Sequence, residues 1–429
     1  MKLKLLAPLL GLLLTAPPPA VVFVNVNVVP MDRERILENQ MVVIRDGRIA
    51  ELGPAGKVKV PAGAQQIDGR GKYLMPGLAE MHGHLPGPNQ SPEVADSFLL
   101  LFLANGVTTV RGMFGFPNHV KLREQVARGE ILGPTLYVAG PALSGQSAQN
   151  VEDARRMARE QKAAGYDLLK VHEGLSREVY DAIVTTAAEV GLPFGGHIPN
   201  AVGLPHALKM KQSSVEHLDG YLEELGEDER KIPQLAALTR EAGAWNAPTM
   251  ALWQNFFSGE SAEALRRRPE VKYMPAQMVG QWEQQRANQL QNQPGPEELR
   301  RMLALRDKML KGLRDAGARL LLASDAPQLF SVPGFSLHRE MQAMARAGLT
   351  PYEVIEAGTR NAAAYLKASD QFGTVEVGRR ADLILLDDNP LKDVANVARR
   401  AGVMVRGRWL PESELRQKLD QLAAARGAQ

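Results

Sequence analysis

The chain holds eight histidines, at positions 82, 84, 119, 172, 197, 206, 217 and 338. His82 and His84 flank a single glycine and close the apolar run Leu74-Met75-Pro76-Gly77-Leu78-Ala79-Glu80-Met81. On a β-strand, residues i and i+2 point to the same side, about 6.6 Å apart, so two imidazoles placed there can ligate one metal ion. Four further residues that can bind metal or carry charge close other β-like runs. Lys170 follows Tyr166-Asp167-Leu168-Leu169, and His197 follows Leu192-Pro193-Phe194-Gly195-Gly196. His217 follows Ser213-Ser214-Val215-Glu216, and Asp325 follows Leu320-Leu321-Leu322-Ala323-Ser324. Each alone has an ordinary explanation: a hydrogen-bonded structural histidine, a solvated lysine, a helix-capping aspartate. Recurring at the ends of several strands, they point to metal-dependent hydrolysis.

Such residues need strands to hold them. β-like runs recur near 78–84, 107–111, 135–140, 167–171, 193–197, 213–217, 244–250 and 318–325, with helix-like stretches such as 153–164 and 177–189 between most of them. This alternation predicts an α/β fold, a (β/α)8 TIM-type barrel over 76–364, whose active face lies at the carboxyl ends of its strands. The spacing between the seventh and eighth strands is anomalously long. The segment 255–315, rich in Gln, Met and Arg and containing Trp282, reads as a helical insertion over that face. Lid, subunit contact and passive elaboration all fit it. Residues 21–75 and 365–412 both read as short strands, with hairpin signals at Asp46-Gly47 and Arg406-Gly407. Together they predict a small composite β-sandwich into which the barrel is inserted, followed by a C-terminal helix over 413–429.

Lys2 and Lys4, the apolar run 5–14 and the small, Pro-rich stretch 15–20 have the layout of a secretory signal peptide. An exported, periplasmic or secreted protein is therefore expected. No later run is long and apolar enough for a stable membrane span. Formal net charge is +3, with basic and acidic residues intermixed, which excludes a nucleic-acid partner and leaves a small-molecule or peptide substrate. There is no cysteine, so disulfides, thiolate nucleophiles and Cys-ligated metals are excluded. Homo-oligomerisation stays open.

The chain resembles the amidohydrolase superfamily. The matching text is Met75-Pro76-Gly77-Leu78 leading to His82-Gly83-His84, Gly106-Val107-Thr108-Thr109-Val110-Arg111, Gly196-His197, Glu216-His217, Ser324-Asp325, Gly358-Thr359-Arg360-Asn361-Ala362-Ala363, and Gly373 through Gly378 to Ala381-Asp382-Leu383. It is most similar to the branch with prolidase-like and carboxypeptidase-like enzymes, imidazolonepropionases and ochratoxin-hydrolysing amidases. The resemblance implies two divalent ions, zinc being expected. His82, His84 and Asp325 would hold one, His197 and His217 the other, with Lys170 bridging as an N-carboxylated lysine. An ammonium could not sit between two dications, whereas a carbamate could. A metal-bridging hydroxide would attack an amide or peptide bond of a dipeptide, an N-acyl amino acid or an ochratoxin-like amide, with Asp325 as acid and base. The alternatives are a mononuclear cyclic-amide hydrolase of imidazolonepropionase type, and a metal-containing binding protein without catalysis. Tyr221, His172, Arg111 and His338 are the candidates for contacting substrate, each with a structural role as the competing reading. His119 and His206 read as surface residues. Many relatives carry Asp where this chain has Gly112, which leaves the second loop's shape open.

Overall fold

The computed structural model describes residues 20–226 and 228–427. The signal-peptide expectation, at residues 1–20, falls almost wholly outside them. The two ends of the chain meet in one eight-stranded sheet. The first part supplies β1 Val21–Val28, β2 Leu37–Arg45, β3 Arg48–Pro54, β4 Gln65–Asp68 and β5 Tyr73–Pro76. Between the two parts run β6 Leu78–Gly83, β7 Val107–Gly112, β8 Thr135–Val138, β9 Leu169–Val171, β10 Phe194–Gly196, β11 Ser214–Glu216, β12 Trp245–Ala247 and β13 Arg319–Leu320. The second part of the shared sheet is β14 Leu383–Leu386, β15 Arg400–Val405 and β16 Arg408–Pro411. The seam is antiparallel: Met75 on β5 pairs with Ile384 on β14. Phe23 on β1 meets Trp409 on β16 edge to face at 5.3 Å between centroids, although several strands separate them in the sheet order. Both expected hairpins form, and their tips touch. A Cβ on Gly407 would lie 2.6 Å from the Cα of Gly47, so only glycines allow this approach.

Each of the eight apolar runs of the middle segment contains one of the strands β6 to β13, and all pair in parallel. β6–β7–β8 form one sheet and β9 to β13 another. Backbone bonds link the two at both margins. Asp167 N donates to Val138 O at 2.9 Å and Gly140 N to Leu168 O at 3.1 Å. On the other margin Met81 N donates to Leu322 O at 3.0 Å and Asp325 N to His82 O at 2.8 Å. The connecting helices bury their apolar faces in one large core that includes Leu78, Val110, Val171, Val215 and Leu322.

The long stretch before β13 divides into two parts. The helix Pro296–Asp315 buries Leu299, Met309, Leu310 and Leu313 and leads into β13, as an ordinary crossover helix would. The remainder, with helices Ala262–Arg266 and Ala276–Asn292, forms its own small core around Trp282, Leu265, Tyr273, Phe98 and Phe330. Leu419 and Leu422 of the C-terminal helix Glu412–Gly427 pack against it. Among the described residues no helix is long and apolar enough to cross a membrane.

Candidate active site

β6 is buried throughout and presents Glu80 and His82 at alternating positions on one face, with His84 next in the same register. The structure brings together the side chains of His82, His84, Lys170, His197, His217 and Asp325. His84 Nε2 lies 2.5 Å, and His82 Nε2 3.4 Å, from Asp325 Oδ1. Lys170 Nζ lies 3.5 Å from His82 Nε2. The rings of His82 and His217 are 4.6 Å apart and those of His197 and His217 4.8 Å. Ligand atoms of His82, His217 and Asp325 all fall within 4.8 Å of one another.

Three of the four imidazoles are fixed through Nδ1. His82 Nδ1 bonds Glu216 at 2.8 Å, His197 Nδ1 bonds Asp219 at 2.6 Å and His217 Nδ1 bonds the Thr249 hydroxyl at 2.9 Å. With Nδ1 donating, each ring offers the Nε2 lone pair inward, as a metal ligand must. Glu216 is itself neutralised and aimed by neighbours: Arg111 Nη2 donates to it at 2.9 Å and Ser214 Oγ at 2.5 Å. The second carboxylate oxygen of Asp325 accepts from Gln328 Nε2 at 2.6 Å.

The electrostatics suit a cation. Burial pushes His82 and His197 well below the usual histidine value and His217 down to about 3, so the rings are neutral ligands. Burial alone would raise Asp325, but the neighbouring His84 and His217 outweigh it and hold the carboxyl down at about 2. Burial lowers Lys170, against the pull of Glu216 and Asp325. Its ammonium would sit 1% exposed, with no carboxylate at ion-pair distance among the described residues. Four imidazoles and one carboxylate thus surround a lysine poor in counterions, and His82, His217 and Asp325 among them could hold a metal ion.

The backbone is strained where it delivers these groups. His217, Leu218, Thr249 and Asp325 all have positive φ, at 65°, 58°, 47° and 59°. Gly196, at φ 138°, sets up His197, and a Cβ there would lie 2.1 Å from the Val171 carbonyl oxygen.

The substrate candidates fare differently. His172 borders the cluster, its ring 4.3 Å from that of His197. Tyr221 corrects its expected substrate role: it is fully buried, with its hydroxyl bonded to Thr239 at 2.8 Å and Asn246 at 2.7 Å. Arg111 is likewise consumed by Met81 O, Ser214 and Glu216, and His338 by Asn105 O and Arg400. His119 is not a surface residue: it is buried, with Nε2 3.1 Å from Pro86 O. His206 is half-buried against Asp181 at 2.6 Å.

Sequence reasoning did not single out Glu216, Asp219 and Thr249 as anchors. A carboxylate inside the buried run Ser214–Glu216 was a usable signal. Thr249 offered none.

The sequence pattern of the Amidohydrolase family matches residues 73–410. Ochratoxinase from Aspergillus niger is 25% identical over 435 residues, spanning 85% of this chain and 81% of that protein. Among solved structures, a bottromycin amidohydrolase superposes with a TM-score of 0.76 at 25% identity, covering 96% of this chain and 91% of that one. A Xaa-Pro dipeptidase with methionine bound in its active site has a TM-score of 0.70 at 17% identity, over 91% of this chain and all (100%) of that one, and shares the fold.

Proposed function

The chain belongs to the amidohydrolase family and is a hydrolase of amide C–N bonds, and we propose that it releases an amino acid from a dipeptide, an N-acyl amino acid or an ochratoxin-like amide. In this reading two divalent ions, zinc the expected pair, are held by His82, His84, Lys170, His197, His217 and Asp325, with Lys170 carboxylated. The observation that carries it is the Nδ1 anchoring of His82, His197 and His217, which leaves three Nε2 atoms free to ligate, with ligand atoms of His82 and His217 within 4.8 Å of Asp325. Bound there, the ions would supply Lewis acidity and a water acidic enough to ionise near neutral pH.

The chain's own residues do the rest. Burial lowers the Lys170 pKa and so favours the neutral amine, the form that takes up CO2. Asp325, ionised and facing His84 and His82 through Oδ1, takes the proton of the attacking water and returns it to the leaving nitrogen. We also read β6 to β13 as one closed barrel. Support comes from the backbone bonds at both margins of the two parallel sheets. The shared terminal sheet we read as a folded sandwich, supported by the Phe23–Trp409 and Gly47–Gly407 contacts.

The test is metal analysis run in parallel with a panel of dipeptides and N-acyl amino acids. About two metals per chain and turnover of at least one panel class are expected. Asp325→Asn should keep part of the metal and lose about 1000-fold or more in kcat. One ion per chain with an unmodified Lys170 would replace this reading with the mononuclear one.

A further inference from the structure

Tyr221 and Arg111 have their polar atoms occupied, and His338 is bonded through Nε2 to Asn105 O and Arg400, so the substrate's anionic end needs another partner. Three arginines are buried among the described residues: Arg111, Arg286 and Arg306. Arg111 and Arg286 are held by several acceptors each. Arg306, only 5% exposed, has its Nε and Nη1 buried with no hydrogen-bond partner. Leaving charged N–H groups dry and unbonded is costly, and an acceptor arriving from outside removes that cost.

Arg306 is also close to the reacting centre. It projects from the helix Pro296–Asp315, and its guanidinium lies over the Trp253 ring, 3.9 Å from the centroid, with Phe257 at 5.1 Å. Trp253 in turn donates from Nε1 to the His217 carbonyl at 3.1 Å. Burial brings the Arg306 pKa down to about 10, partly offset by Asp219, the carboxylate that holds His197. Neither Asp219 nor Glu223 reaches ion-pair distance of it among the described residues. Stacking covers one face of the guanidinium and leaves the in-plane Nε and Nη1 hydrogens for another partner.

We infer that Arg306 receives the substrate's carboxylate beside the metal-ligating histidines and so selects amides whose amine half is an amino acid. The half-buried rings of Trp253 and Phe257 next to it would line the amino acid's side chain and favour an apolar one. The inference deepens the amide-hydrolase reading and rests on it. It makes Arg306 a specificity residue supplied by the long segment before β13.

The test uses the full-length, zinc-loaded enzyme and two probes, N-acetyl-L-phenylalanine and its carboxamide, with binding measured by calorimetry and turnover measured separately. The wild type should prefer the free acid. Arg306→Met should weaken the acid about 10- to 100-fold while leaving the carboxamide unchanged, and Arg306→Lys should recover part of the loss. Equal weakening of both probes would show a packing role and overturn the inference, as would an unchanged preference in Arg306→Met or no preference in the wild type. An Arg306-dependent preference without turnover of any panel substrate would keep the inference and sink the hydrolase reading.

Discussion

Glu216→Gln should damage metal binding without touching a metal ligand. Glu216 is fully buried and receives three donors: His82 Nδ1, Arg111 Nη2 and Ser214 Oγ. A carboxylate accepts from all three, because both of its oxygens are acceptors. A glutamine has one oxygen and one NH2 group. If the oxygen stays with Arg111 and Ser214, the NH2 faces His82 Nδ1, which must then become the acceptor. His82 would carry its proton on Nε2, the atom turned toward Asp325 and Lys170. If the amide flips, the NH2 confronts the guanidinium instead. Either way the Arg111 charge, also fully buried, loses its counterion. Breaking such a pair costs about 3–5 kcal/mol, and losing the group that orients a ligating histidine costs about 10- to 100-fold in metal affinity. Urea unfolding of the metal-free protein reads the first quantity, and zinc competition against a chelator reads the second. A variant within about 1 kcal/mol of wild type, the scale of an ordinary surface substitution, with undiminished zinc affinity would refute the orienting role of Glu216.

Two further outcomes follow from the same physics. Burial pushes Glu340 up to about 8, with Ala251 N donating to one oxygen at 2.6 Å and the other oxygen unpartnered. A carboxyl raised in the folded state takes stability away as pH rises from its unfolded value of about 4.5 to about 8, by up to about 5 kcal/mol. Glu340→Gln should therefore match wild type near pH 4.5 and be the more stable at pH 8.5 in urea unfolding, and an equal difference at both pH values would disprove it. Gly196→Ala places a methyl against the Val171 carbonyl, 2.1 Å away, where no rotamer change can relieve it. A loss of about 2 kcal/mol or more, with less metal bound per chain, is expected from unfolding and metal analysis. Wild-type values would show that the strand ahead of His197 yields freely.

The metal-ligand candidates were legible because parallel strands leave a simple trace. An apolar run marks each strand, and a ligand-type residue within or just after it stands out against the run, as at Lys170 inside β9 and at His197, His217 and Asp325 beyond β10, β11 and β13. The anchors behind them left less trace, since Glu216–His82 and Thr249–His217 are contacts between strands or loops distant in sequence. Tyr221, Arg111 and His338 were singled out as substrate contacts from their places along the chain. What their positions could not reveal was that Thr239, Glu216 and Asn105 already bind them. Arg306 was hidden for the opposite reason. It is one of several arginines on an amphipathic helix, and periodicity does not say which of them the fold turns toward Trp253.

The seam between β5 and β14 bears on when the enzyme becomes competent. Gly77 is the only residue between β5 and β6, the strand that carries His82, and its amide donates to Asp382 O at 2.8 Å. The strand that locks this junction lies about 300 residues further along the chain, so closing it carries the entropy cost of a long loop. A chain emerging from the ribosome would carry every side chain of the proposed metal site before it carried the strand that braces the first of them. Metal capture would then follow release of the finished polypeptide, and trimming away β14 to β16 would cost metal retention although none of the ligands lies there.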